Sequence, residues 1–257
     1  LMYSAQNGHE QCARALIEKG ATVDAQLPSG HTALMLACQN GHEQCARALI
    51  EAGAVVDTQL PSGSTALILA AQNGHEQCAR ALIENGADLE KQTKKGNTAL
   101  ILACQNGHEQ CARVLLEAGA DLGTQKNDGA TALIAACAFG REQCARALLE
   151  NGAAVNATLP NGEGALNLAC QNGHVPCTEV LLKAGANVEL TDKTNGFTSL
   201  MKAAQNGHEQ CARALLANCA VVNARANNGF LSGHTALMLA CQNGHEQCAG
   251  ALLEKGG

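Results

Sequence analysis

The chain has 257 residues, enough for one large domain or two small ones; 46% are apolar, but only 2% are aromatic. Its core must therefore be built mainly from alanine, leucine, valine, isoleucine and cysteine, which indicates closely packed helices. A net charge of −6 excludes the general basic surface of a non-specific nucleic-acid binder. No run of about 18 apolar residues predicts a membrane-spanning helix, and no signal peptide is visible.

One sequence word, Asn-Gly-His or a close variant of it, recurs along the whole chain. The spacing between successive glycines of this word is 33 residues five times, then 34, then 37. A fixed period between about 20 and 50 residues indicates an array of stacked structural units. We number these units as copies one to eight by their glycines, which are Gly8, Gly41, Gly74, Gly107, Gly140, Gly173, Gly207 and Gly244.

Copy two illustrates the elements that the pattern predicts for every copy. Thr32 is the expected N-cap of a first helix over Ala33–Gln39, which Asn40 and Gly41 end. The stretch "HEQCARALIEAGA" follows with apolar residues at helical spacing and predicts a second helix. Gly53 stops that helix, and "VVDTQLPSG" is then an extended segment that closes in a turn.

A helix, a turn, a helix and a β-turn within 33 residues resemble the ankyrin repeat, and the resemblance covers the whole chain. The family pattern "G-x-T-P-L-H-x-A-A-x-x-G-H…LL-x-x-GA" is matched by "GHTALMLACQNGHEQCARALIEAGA". In this copy Ala33 replaces the family's Pro and Met35 replaces its His, so the Thr-to-His hydrogen bond typical of the family is lost.

The resemblance implies an all-α repeat solenoid, an ankyrin-like stack of about eight repeats with a helix-turn-helix and a β-turn hairpin in each. We expect residues 1–257 to form a single ankyrin-repeat domain whose first repeat is incomplete. The chain begins in the middle of a repeat, so we expect it to be excised from a longer array or a larger protein.

The Cys38-x3-His42-x2-Cys45 word could in isolation supply three zinc ligands. Other copies, however, carry alanine at the first cysteine position, for example Ala71 and Ala204, as a small core position tolerates. The resemblance makes His42 a structural histidine that ties backbone groups between helices. We therefore predict buried cysteines with no metal and no cofactor.

A ladder of disulfides is not expected either. Equivalent thiols in neighbouring copies should lie about 8–10 Å apart, one helix spacing, whereas a bridge needs Cα atoms within about 7 Å. Reduced thiols in this number favour an intracellular protein, cytoplasmic or nuclear. Cys219 replaces a helix-ending glycine and is the thiol most expected to be exposed.

No catalytic motif is present, so we expect a non-enzymatic protein. The Glu–Arg pairs four residues apart, such as Glu43 and Arg47, are typical of a solvated helix surface. The copies differ most in their hairpins, while their second helices barely change. The resemblance implies a protein–protein interaction scaffold that binds its partner on a concave face made of hairpin tips and first helices.

Few residues stand out as partner contacts on that face. Three phenylalanines lie outside the framework pattern, and we predict them as anchors: Phe139, Phe197 and Phe230. The predicted peripheral polar contacts are His31, Lys94 and Lys95. With Lys91 and Lys126, these lysines either meet an acidic partner or are simply solvated. As alternatives, Phe139 and Phe197 pack on neighbouring hairpins, and the varied tips reflect drift after duplication.

Two other functions remain open at this stage. One is a targeting or regulatory segment of a larger multidomain enzyme. The other is homotypic assembly through the repeat ends, with weak end-to-end self-association, because neither the first nor the last copy has the polar outer face of a capping repeat. No nucleic-acid partner and no membrane insertion are expected.

Overall fold

The computed structural model describes residues 1–257 as sixteen α-helices with no strand. The chain divides into two compact units, unit 1 at Leu1–Asn127 and unit 2 at Asp128–Gly257. Each unit contains four helix pairs. This is the all-helical architecture that the 33-residue period predicts.

Unit 1 contains α1 to α8, at Met2–Gln6, Glu10–Glu18, Ala33–Gln39, Glu43–Glu51, Ala66–Asn73, Glu76–Glu84, Ala99–Asn106 and Glu109–Glu117. Unit 2 contains α9 to α16, at Ala132–Ala138, Glu142–Glu150, Ala165–Gln171, Val175–Lys183, Ser199–Gln205, Glu209–Ala217, Ala236–Gln242 and Glu246–Leu253. Odd-numbered elements are the first helices of the copies and even-numbered elements are the second helices. The predicted first helix of copy two, Ala33–Gln39, is confirmed to the residue.

Threonine side chains cap most first helices even though the family's Thr-to-His bond is lost. The backbone N–H of Met35 donates to Thr32 Oγ1 at 3.3 Å, and Ile68 does the same to Thr65. Copy six has Gly164 at the cap position, and there Asn167 Oδ1 accepts from the Gly164 N–H at 2.9 Å. Asn167 stands at the position where the family has its histidine. Its side chain bonds to the backbone of the cap residue, in place of the bond from a threonine side chain to the helix backbone.

Within each unit, first helices pack on the first helices of the neighbouring copies and second helices on second helices. The first helices are short and almost wholly buried, with Leu34, Met35 and Ala37 no more than 1% exposed in α3. Second helices bury one face only, for example Cys45 and Leu49 of α4. Small residues at the buried positions permit this close stacking.

In copies two, three, four, six, seven and eight, the histidine of the Asn-Gly-His word joins its copy to the copy before it. His42 Nε2 lies 3.0 Å from the Gln6 carbonyl oxygen, and His75 Nε2 lies 3.1 Å from that of Gln39. The glycine of the preceding copy leaves room for the ring, since a Cβ on Gly41 would come within 2.5 Å of His75 Nδ1. Its φ of 78° also suits glycine. The prediction that these histidines bind backbone groups is confirmed.

Candidate binding surface

Backbone hydrogen bonds between successive hairpin tips fix the position of the tips in each unit. In unit 1 the Lys94 N–H donates to the Ser62 carbonyl at 2.8 Å, and the Asn127 N–H donates to that of Lys95 at 3.2 Å. In unit 2 the Lys193 N–H donates to the Asn161 carbonyl at 2.7 Å. Side chains on these tips are therefore held by a fixed backbone.

The predicted polar contacts of unit 1 lie on two different tips. Lys94 and Lys95 are exposed side by side on the copy-four tip. His31 is half-buried on the copy-two tip, with its Nδ1 2.9 Å from Ser29 Oγ. Lys91 is turned to the base of its hairpin, where Nζ lies 3.6 Å from Asp88 Oδ2.

Two of the three predicted anchors of unit 2 are exposed. Phe139 is the C-cap of α9 and is 52% exposed. Phe230 lies in the lengthened hairpin that precedes α15 and is 100% exposed. This hairpin is closed at its base by hydrogen bonds between Ala226 and His234 and between Gly233 and Ala226. Phe139 and Phe230 belong to copies five and eight, so only a long partner segment could contact both.

The expectation that Phe197 is an exposed anchor is wrong, because its side chain is 1% exposed. Its carbonyl accepts from the Asp192 N–H at 3.1 Å, which closes the base of the hairpin. The equivalent residues Ser64 and Asn97 are 8% and 9% exposed, so this slot faces inward in other copies too. Polar residues there had made the slot resemble a surface position. This burial favours the alternative in which Phe197 packs on neighbouring hairpins.

A charged cluster that sequence reasoning missed lies beneath the tips of copies six and seven. Lys202 Nζ lies 3.1 Å from Asp192 Oδ2 and also forms an ion pair with Glu163 Oε1. Gln171 Oε1 accepts a further hydrogen bond from the ammonium at 3.1 Å. The side chains of Lys202 and Asp192 are 9% and 2% exposed. The sequence did contain a signal for this cluster, because Lys202 stands in copy seven at the position that the apolar Leu36 holds in copy two.

Asp192 also organises the copy-seven tip. Its Oδ1 accepts from the backbone N–H groups of Thr194 and Asn195 at 2.9 and 2.7 Å. Burial opposes ionisation of this carboxyl, but the Asn195 N–H and the Lys202 ammonium outweigh it and hold its pKa below the ordinary value. Apart from that ammonium, Oδ2 has no partner. Asp192 is therefore charged and dependent on Lys202.

The cysteines are unbridged, and most are buried in the helix packing. Cys219 is exposed, as predicted, and has a φ of 63° at the end of α14. Cys12 and Cys241 are exposed as well. No group of three His, Cys, Asp or Glu side chains is arranged to hold a metal ion. The Cys-His-Cys word does not converge, because its histidine reaches back to the preceding copy.

Non-equivalent cysteines of neighbouring copies do meet, which the spacing argument had not considered. The neighbouring Cys78 thiol, together with burial, raises the pKa of the Cys38 thiol. In unit 2, Thr178 Oγ1 lies 3.6 Å from both Cys170 Sγ and Cys211 Sγ. A first-helix thiol therefore packs on a second-helix thiol of the next copy, as small core residues do.

Comparison with known proteins agrees with this architecture. A family model described as ankyrin repeats (3 copies) matches residues 1–60, 52–126, 86–158, 118–192 and 166–257. The chain belongs to the ankyrin repeat family. A crystal structure of the human ASB11 ankyrin repeat domain is similar, with 28% sequence identity and a TM-score of 0.76 over 84% of this chain and 96% of that one. The search of curated proteins finds no match.

Ankyrin repeats are in general protein–protein interaction modules, and proteins of this kind are typically non-enzymatic scaffolds. The family therefore supports the general role predicted from the sequence. None of the helices of this ankyrin protein has the length and apolar character needed to cross a bilayer.

Proposed function

We propose that this ankyrin protein is a non-enzymatic scaffold that binds a partner protein through the hairpin tips and first helices of unit 2. The observation that carries the proposal is Phe230, whose side chain is 100% exposed on the hairpin of copy eight, the longest hairpin in the chain. Isolated apolar side chains on a surface are common. A fully exposed ring on a hairpin closed by its own hydrogen bonds, however, contributes nothing to packing and is available to a partner.

Phe139 is the second proposed anchor, because it adds a half-exposed ring at the end of α9. In the other copies the same slot holds asparagine, as in Asn40 and Asn172, so copy five presents an apolar spot in a row of amides. Aromatic anchors of this kind carry much of the binding energy of interfaces. Phe197 supports the hairpin from inside and is not an anchor.

Lys94, Lys95 and His31 are proposed as peripheral polar contacts on unit 1. Charges at the rim of an interface chiefly steer association, so the two lysines favour a partner with acidic residues there. The two lysines form a local basic patch on a chain whose net charge is −6. The unbridged thiols fit an intracellular location for this interaction.

The experiment begins with a pull-down from lysate of the native cell, with the captured proteins identified by mass spectrometry. Affinity for the identified partner is then measured for Phe139→Ala, Phe230→Ala and Phe197→Ala. Phe139→Ala and Phe230→Ala should each weaken binding by about ten-fold or more at unchanged Tm. Phe197→Ala should lower Tm instead, since it empties a buried site.

Val221→Ala is the matched control, because Val221 is 52% exposed like Phe139 but lies at the start of a hairpin, after the end of α14 at Ala217. It should leave affinity unchanged. Normal binding by both Phe139→Ala and Phe230→Ala would refute the proposed surface.

A further inference from the structure

The second helices carry a repeated row of charges on their outer faces. In α4, Glu43 and Arg47 stand four residues apart and therefore share one face of the helix. Arg47 Nε lies 2.8 Å from Glu43 Oε1, and its Nη1 lies 3.1 Å from Glu84 Oε2 at the end of α6. Arg14 and Arg213 pair in the same way with one glutamate of their own helix and one of the next copy. In these copies the chain neutralises the outer row itself.

Helix α12 of copy six reverses this outer row. Its three positions hold Val175, Glu179 and Lys183, whereas the corresponding residues of α4 are a glutamate, an arginine and a glutamate. An apolar residue thus replaces the first acid, and the two charges that follow have the opposite signs. Within unit 2, α10 packs beside α12. Lys183 stands at the position of Glu84 and so faces Arg146 of α10, which brings two cations to a place that holds an ion pair in unit 1.

The reversed charges have no partners between helices. Arg146 Nη2 lies 2.7 Å from Glu142 Oε1 of its own helix and has no carboxylate partner in α12. Glu179 and Lys183 are exposed and form no ion pair. The position in α14 that corresponds to a partner for Glu179 holds Ala217. Copy six therefore presents a basic spot, made of Arg146 and Lys183, beside an acidic one.

We infer that the outer face of α12 is a docking surface for a helical segment of a partner protein. A helix that runs antiparallel to α12 places an acidic residue against Arg146 and Lys183. Its residue one turn later lies against Glu179 and is basic, and the residue a further turn on lies against Val175 and is apolar. The partner's carboxylate then takes the place that a glutamate of the next copy has in unit 1.

The length of the row fits a short partner helix. Val175 and Lys183 are the first and last residues of α12 and lie about 12 Å apart at 1.5 Å per residue, so about three turns of a partner cover the row. Charged pairs on an exposed surface contribute little to stability, and across an interface they chiefly set which partner binds and how fast. The surface lies on second helices, apart from the hairpin tips and first helices of the proposed function, and does not depend on that proposal.

Titration of the isotope-labelled chain with a helical peptide, followed by NMR of the backbone amides, tests the inference. The probe is three repeats of Glu-Ala-Ala-Ala-Lys, which is predominantly helical and presents Glu, Lys and Ala at successive spacings of four. Saturable shifts should appear in α10 and α12 and should be larger than those in α4, whose row is paired within the chain. A peptide of the same composition, with its glutamates at one end and its lysines at the other, should bind about five-fold more weakly.

The double variant Glu179→Arg, Lys183→Glu restores the charges of the α4 row at an unchanged net charge of −6. It should keep the wild-type Tm and weaken probe binding by about ten-fold or more, because Arg146 gains a partner within the chain. Lys94→Glu on the copy-four hairpin tip lowers the net charge without touching α12, and it should leave the shifts in α10 and α12 unchanged. Equal affinities of the wild type and the double variant overturn the inference. Shifts confined to the tips around Lys94 and Lys95 also overturn it, while leaving the proposed function intact.

Discussion

In unit 1 the copies follow one another at 33 residues, and the first helices carry Leu36, Leu69 and Leu102 at one inward-facing slot. In unit 2 the spacing grows to 34 and then 37 residues. In copy seven of this unit, Lys202 occupies the position of those leucines. All three phenylalanines also lie in unit 2. The second helices, in contrast, are nearly the same in both units, except for α12 with the sequence VPCTEVLLK. The comparison teaches that the framework tolerates large changes in the hairpins and in the one helix slot beneath them.

The largest expected effect comes from removing the charge that distinguishes unit 2. Lys202→Ala leaves Asp192, 2% exposed, without its only cation. Breaking a buried ion pair in this way should cost about 3–5 kcal/mol in the free energy of unfolding, measured by urea denaturation. The triple variant Glu163→Ser, Asp192→Asn and Lys202→Leu removes all three charges but keeps an oxygen for the N–H groups of Thr194 and Asn195, so its stability should be close to that of the wild type. A stability of Lys202→Ala within 1 kcal/mol of wild type would show that the cluster is solvated.

A smaller effect is expected at the end of α14. Cys219 has a φ of 63°, a conformation in which the other copies carry glycine, for example Gly53 and Gly86. Cys219→Gly should therefore stabilise the chain by about 1 kcal/mol, because glycine adopts this conformation without strain. Thermal unfolding checks it, with Cys12→Gly as a control at an exposed helix position with ordinary backbone angles. A decrease in Tm for Cys219→Gly would mean that the side chain contributes packing.

The smallest effect concerns pH. The folded-state pKa of Asp192 lies below its ordinary value, so this carboxyl stabilises the fold above its unfolded pKa of about 3.9. That contribution is lost as the pH falls through the lower folded-state pKa. The decrease in Tm between neutral and acidic solution should therefore be larger for the wild type than for the triple variant. Equal decreases would exclude a role for the cluster in acid unfolding.

Much of the fold could be predicted from the sequence, because a pattern seen in one copy can be checked against the same positions of the other copies. The helix bounds Ala33–Gln39 and the cap Thr32 followed from local propensity and turn chemistry alone. The exchange of cysteine with alanine at the slot of Cys38 indicated a small core position. The structure places that slot in the packing.

The binding surface was less predictable because exposure depends on neighbours in space. Phe197 and Phe230 are both aromatic residues in irregular hairpins, yet one is 1% and the other 100% exposed. The difference arises because the surrounding chain covers the Phe197 ring, while the ring of Phe230 packs on no other part of the chain. Pairings such as Cys38 with Cys78 were equally hidden, since they join different helices of different copies.

The sequence by itself determined the period, the family, the helix pairs and their caps, because these depend on short-range patterns that recur eight times. Only the tertiary structure decided which side chains remain exposed and which charges are buried together. These properties depend on what packs against a residue from the neighbouring copy, and no single copy contains that information.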